Sequence, residues 1–259
     1  MAFLFCGAVN AQVEQWDTYM AKIDGKPGSV LVDMGLMATA PNYKYPNLVI
    51  TGPQAQKCNA QGVPDTNEIA LLEEILTATG NFITGVTPKL LTGTFTYNCQ
   101  RLNYYYVKDT TGLRNALARV YARTYKDYNY AIKIKHDPEW SVYRTFLYPD
   151  EATQNWMENN KVIAAMIKRG DSVKTPREVT FNVYFDSDAA RSAFEAEVTA
   201  KGYAVKRKTQ SKKKQALYAI VLSKNSTIAH DVIDKETAEL KETVKKHNGH
   251  YEGWEAPTL

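Results

Sequence analysis

The sequence predicts an α+β protein of two domains, each an antiparallel sheet with helices packed on one face. Three observations carry that prediction. The first half is rich in tyrosine and β-branched residues set in short alternating runs, the pattern of strands with one covered face. The second half alternates strand and helix periodicity in a regular order. Between them, residues 137–150 are bracketed by Pro138 and Pro149 and carry Trp140, Tyr143, Phe146, Leu147 and Tyr148. Prolines block regular structure, and large apolar side chains between them suit a joint packed between two bodies better than a loose linker.

Residues 15–36 read as a hairpin. Trp16, Tyr19 and Ile23 lead into the turn signal Asp24-Gly25-Lys26-Pro27, and Val30, Leu31 and Val32 return. Pro41 and Pro46 bracket a loop, Leu48, Val49 and Ile50 form a short strand, and the polar stretch 52–64 reads as a long loop. Asp65 is placed to cap a helix, with Glu68 as its capping-box partner. Ile69, Leu72, Ile75 and Leu76 make its apolar stripe, and Gly80 suits a left-handed stop. Strands follow over 82–107: Phe95 and Tyr97 alternate with polar residues, a turn falls near 98–101, and Tyr104, Tyr105, Tyr106 and Val107 come after it. Leu113, Leu117, Val120 and Tyr121 define a second helix; Tyr128, Tyr130, Ile132 and Ile134 alternate as a strand. This is the first domain, residues 12–149. The tyrosines at 104, 105, 106, 121, 125, 128 and 130 fit either an aromatic binding face or ordinary half-buried strand positions.

The second domain, residues 150–259, opens with a helix capped by Asp150, with Trp156, Ile163, Met166 and Ile167 toward the core. Val179, Phe181, Val183 and Phe185 then alternate strictly. Asp186 or Ser187 caps a helix striped by Ala190, Phe194 and Val198 and stopped by Gly202. Two strands follow, near 203–208 and 216–222. Ser226 is placed to cap a long helix carrying Ile233, Leu240 and Val244, and residues 251–254 form a last strand. The order β-α-β-β-α-β after a leading helix is the ferredoxin-like pattern.

The chain has 259 residues, 44% hydrophobic and 23% charged, a composition that supports packed cores rather than disorder. A net charge of +4 permits an acidic partner without demanding nucleic acid. No uninterrupted apolar run reaches the roughly 20 residues of a bilayer span. Residues 2–9 are apolar and are followed by Asn10, Ala11 and Gln12; Val9 and Ala11 fit the small-residue positions before a signal-peptidase cut at the end of residues 1–11, though the positive n-region is missing. They read as a truncated signal peptide, which makes the mature chain periplasmic or secreted; an amino-terminal strand is the other reading, and leaves it cytoplasmic. Removing them leaves two cysteines, Cys58 and Cys99, an even number that fits either one disulfide or two unrelated thiols.

Little in the chain points to catalysis. No nucleotide-binding glycine motif and no nucleophile elbow occurs. His247 and His250 lack a cysteine or carboxylate at metal-ligand spacing, so no metal or other cofactor is expected. Asp186 and Asp188 sit where a cap and a first-turn charge belong. The clearest charge feature is the run Lys206, Arg207, Lys208, Lys212, Lys213 and Lys214 at a hairpin tip. It reads as a polyanion contact or a solvated tip, without aromatics for base stacking. Glu236, Glu239 and Glu242 are placed to neutralise it in part.

Residues 137–149, with Trp16, Tyr19 and residues 24–27, resemble an uncharacterised bacterial domain family with no assigned activity. That domain is often followed by one similar to RraB, the regulator of ribonuclease E activity. Here the second match rests on Trp156, Gly170, Asp171, Pro176, Arg177, Glu178, Val179, Phe185 and residues 249–255. The resemblance implies a ferredoxin-like second domain that binds and inhibits an enzyme without catalysis of its own. The expectation is therefore a non-enzymatic protein-binding regulator, with Tyr251, Glu252, Trp254 and Glu255 as its exposed contact strand. Trp254 as a core plug is the competing reading. A polyanion binder using 206–214, and an enzyme with a cleft between the two domains near His136 and Trp140, are the alternatives.

Overall fold

The computed structural model describes residues 14–211 and 217–259, and the chain divides between Pro149 and Asp150 into two compact units. The leader-like segment 1–11 lies outside the described residues.

In the first unit, β1 (Trp16–Ile23) turns through Asp24 and Gly25, both at positive φ, into β2 (Lys26–Asp33). Two consecutive left-handed residues match the twist of a tight hairpin, which is why aspartate and glycine stand there. There follow β3 (Asn47–Pro53), α1 (Thr66–Val86), β4 (Lys89–Tyr97), β5 (Gln100–Val107), α2 (Leu113–Thr124) and β6 (Tyr130–His136). The six strands run β1-β2-β4-β5-β3-β6, every neighbouring pair antiparallel.

The alternation of β5 distributes the tyrosines. Tyr105 and Val107 join Val49, Ile83, Leu113 and Leu117 beneath α1 and α2. Tyr104 and Tyr106 therefore face the other side. There Tyr106 stacks on Trp140, ring centroids 4.3 Å apart, and the Trp140 indole donates to the Tyr45 carbonyl at 3.0 Å. A π-helical turn, Tyr143–Leu147, lies over β2 and β4. The Tyr143 hydroxyl donates to the Asp33 carbonyl at 2.7 Å, and the Tyr19 hydroxyl donates to the Leu147 carbonyl at 3.0 Å. Trp140, Tyr143 and Leu147 are thus core of the first unit, on the sheet face away from α1 and α2, where large side chains leave water, while Phe146 is 38% exposed.

Two details of α1 also differ from expectation. The helix runs 21 residues, through Gly80 rather than ending there. A Cβ on Gly80 would sit 2.7 Å from the Tyr105 hydroxyl, so the glycine serves close packing, not a stop. Asp65 does cap, accepting from the Asn67 amide, but Glu68 makes no reciprocal bond. Its carboxylate instead accepts from the Gln56 and Lys57 amides at 2.7 and 2.9 Å, pinning the preceding loop. Among the described residues α1 is the one helix long and apolar enough to cross a membrane, yet Leu72, Ile75, Leu76 and Ile83 are buried against its own sheet.

The second unit runs α3 (Glu151–Lys168), β7 (Arg177–Phe185), α4 (Asp188–Ala200), β8 (Ala204–Gln210), β9 (Tyr218–Ser226), α5 (His230–Lys246) and β10 (Gly249–Glu255). Its sheet is antiparallel in the order β10-β7-β9-β8. Val179, Phe181, Val183 and Phe185 are all buried, sharing one core with Ile163, Phe194, Val198, Ile233, Leu240 and Val244. Asp150 and Ser187 cap α3 and α4. Ser226 does not cap α5: it ends β9, and the helix begins after Ala229 with no side-chain cap. Ile167, in the last turn of α3, is 54% exposed rather than core. The inward face of α3 instead carries Asn155 and Asn159, whose amides donate to the Asp234 carbonyl at 2.9 Å and to Thr237 Oγ1 at 2.8 Å on α5.

Candidate functional site

The sequence-predicted contact strand is β10, an edge of the second sheet. Its pairing with β7 slips between Tyr251 and Gly253, leaving Glu252 as an extra residue, and Gly253 takes a φ of 142°. In an uninterrupted strand residues 251 and 254 would face opposite sides. The bulge resets the alternation, so Tyr251 and Trp254 both turn toward the core. Trp254 is 8% exposed and its indole donates to Asn159 Oδ1 at 2.8 Å. Of the two readings of Trp254, exposed anchor and core plug, its burial fits the core plug. Tyr251 is half-buried, its hydroxyl is buried without a hydrogen-bond partner, and burial raises its pKa. Glu252 and Glu255 are the exposed members of the set.

Beside this strand lies a groove of about 490 Å³ lined by Glu158, Asn159, Val162, Lys241, Tyr251, Glu252, Gly253 and Trp254. Lys241 pairs with Glu158 at 2.5 Å and sits 5.4 Å over the Tyr251 ring.

Asp171 and Arg177, present in the sequence only as parts of short motifs, form a buried ion pair at 2.7 Å. Arg177 also donates to the Ser172 and Pro257 carbonyls, and the Leu259 amide donates to Asp171 Oδ2. The Arg177 hydrogen bond holds the Asp171 carboxyl below its usual range. This lock fastens the carboxyl-terminal residues after β10 to the start of β7. Asn159 and this lock are what sequence reading missed. Asn155 and Asn159, four apart on one helix face, were the available signal.

Of the basic run, Lys206 pairs with Glu178 at 2.9 Å and Lys208 with Glu195 at 3.0 Å, while Arg207 is exposed. Lys212, Lys213 and Lys214 lie outside the described residues. Of the three expected neutralising acids, Glu236 pairs with Lys224 and Glu239 with Lys235. The histidines diverge. His136 meets Asn47, His230 meets Asp234 and stacks on Trp156, His247 meets Glu197, and His250 stacks on Tyr184. Trp140 is fully buried, its indole bonded to the Tyr45 carbonyl within the first unit. Cys58 and Cys99 are disulfide-bonded, Cα atoms 5.9 Å apart, tying the 55–64 loop to the turn between β4 and β5.

Residues 14–148 match the model described as a Family of unknown function (DUF695), and residues 156–256 match that described as Regulator of ribonuclease activity B (RraB). No curated protein matches the chain. Among solved structures it is similar to that of a provisionally assigned glycine cleavage system transcriptional repressor. The two are 10% identical, with 82% of this chain and 98% of that chain covered, at a TM-score of 0.25, too loose to carry an argument.

Proposed function

Because this chain belongs to the DUF695 family and continues into a domain matching the regulator of ribonuclease activity B, we propose that it is a non-catalytic regulator that binds another protein through its second unit. The observation that carries the proposal is the match over 156–256, which includes the whole of β10 and the groove beside it. The contact surface is the exposed pair Glu252 and Glu255 with the groove wall of Tyr251, Lys241 and Glu158. Trp254 supports that surface from beneath rather than touching the partner.

The mature chain works outside the cytoplasm in this reading. The leader-like residues 1–11 support it, as does the Cys58–Cys99 bond, since disulfides persist in oxidising compartments. A partner met there is not the cytoplasmic ribonuclease that the regulator family inhibits, because a shared fold does not fix a shared target.

The test is a photo-crosslinking residue placed at Glu252, and separately at Arg207 on the opposite sheet edge, in the native host. A protein adduct from position 252 and none from 207 is the expected result. No protein adduct from 252, or adducts from 207 alone, would overturn the proposal. Amino-terminal sequencing of the same purified chain checks the compartment, with Gln12 expected as its first residue.

A further inference from the structure

We propose that the first unit binds a small monocarboxylate with an apolar body, in a groove between α1 and the sheet, with Lys89 meeting the carboxylate. The groove holds about 650 Å³, within the range of roughly 300–1,000 Å³ that suits small-molecule sites. Leu31, Leu76 and Leu91 supply apolar wall, and the buried Thr94 and Asn103 contribute polar lining.

The charges of this groove are unequal in their engagement. Three carboxylates line it and each is occupied. Glu14 accepts from the Trp16 indole at 2.9 Å, Asp33 accepts from the Gln15 and Gly35 amides at 2.9 and 3.0 Å, and Glu73 pairs with Arg101. Lys89 is the one lining cation, and among the described residues it has neither a carboxylate nor a hydrogen-bond acceptor. Its ammonium lies 4.9 Å over the Tyr105 ring, and burial lowers its pKa. A partly desolvated ammonium without a counter-ion is a standing cost that an incoming anion removes.

Tyr105 gathers the recognition groups. Its ring carries Lys89, and its hydroxyl accepts from Asn103 Nδ2 at 2.8 Å. Asn103 Oδ1 accepts from Thr94 at 2.6 Å, which leaves one amide hydrogen of Asn103 unspent. The Lys89 ammonium is the charged anchor for a carboxylate, and the Asn103 amide is a second donor in the same groove lining. A phosphate dianion would meet the three neighbouring carboxylates and be repelled, so a single negative charge fits better.

The test uses the full chain and four probes: phenylacetate and decanoate, with phenylacetamide and phenethylamine as neutral and cationic controls, followed by calorimetric titration. At least one carboxylate binds, and neither control does. Lys89→Met weakens that binding by about tenfold or more, while Lys89→Arg keeps most of it, as expected for a charge-assisted contact. Without ligand, Lys89→Met melts no lower than the parent, because the lysine is kept for a ligand rather than for the fold. Failure of both carboxylates, equal binding of the amide or amine, unchanged affinity in Lys89→Met, or a marked loss of its stability would each overturn the proposal.

Discussion

Replacing Asp137 tests whether the aromatic segment is core of the first unit. The side chain is almost fully buried and accepts from the Tyr106 hydroxyl at 2.6 Å, the Val142 amide at 3.1 Å, the Ser141 amide at 3.1 Å and the Ser141 hydroxyl. Burial pushes its pKa up, but the bonds from Ser141, Tyr106 and Val142 outweigh it and hold the carboxyl at about 2, below the ordinary 3.8. At roughly 1.4 kcal/mol per unit, ionised Asp137 contributes about 2 kcal/mol of stability at neutral pH. Asp137→Asn should cost about that much; Asp137→Ala about 3–4 kcal/mol, since it also strands the buried Tyr106 hydroxyl. The sign follows from the depressed pKa. The contribution is complete above the unfolded value near 3.8 and is lost as pH falls through about 2. Scanning calorimetry of parent and Asp137→Asn from pH 7 to pH 2 should therefore show a gap in the first unit's transition that closes between pH 4 and 2. An unchanged melting temperature at pH 7, or a gap that widens in acid, would refute the reasoning.

Trp254→Ala should destabilise the second unit by about 3–5 kcal/mol and Trp254→Phe by about 1–2 kcal/mol, the latter losing mainly the bond to Asn159, as read from urea unfolding. Breaking the Cys58–Cys99 bond, which spans 41 residues, should lower stability by about 2–4 kcal/mol, measured by melting with and without reductant. Gly80→Ala should destabilise in thermal unfolding even though alanine is the better helix former by about 1 kcal/mol, because its methyl meets the Tyr105 hydroxyl.

Where each side chain faces one environment and the period is unbroken, the fold was legible. The four alternating apolar residues of β7 and the caps at Asp150 and Ser187 are such cases. Residues 137–149 were legible in content but not in destination: periodicity says that aromatics seek cover, not which sheet face is vacant. For Trp254 the sequence left anchor and core plug both open, because one extra residue at Glu252 reverses which side follows, and only Gly253 hinted at it. Lys206 finds Glu178 two strands away, a pairing that charge spacing along the chain cannot show. The Lys89 groove was invisible for the same reason: α1, β4 and β5 bring its members together from separate stretches.

The most direct measurement of the central claim is the affinity of the protein crosslinked through position 252, for the parent chain and for Glu252→Lys with Glu255→Lys. Loss of about tenfold or more with an unchanged melting temperature is predicted, as for charges at the edge of a binding surface. Unchanged affinity, or a loss produced only by neutralising Arg207 and Lys208, would contradict it.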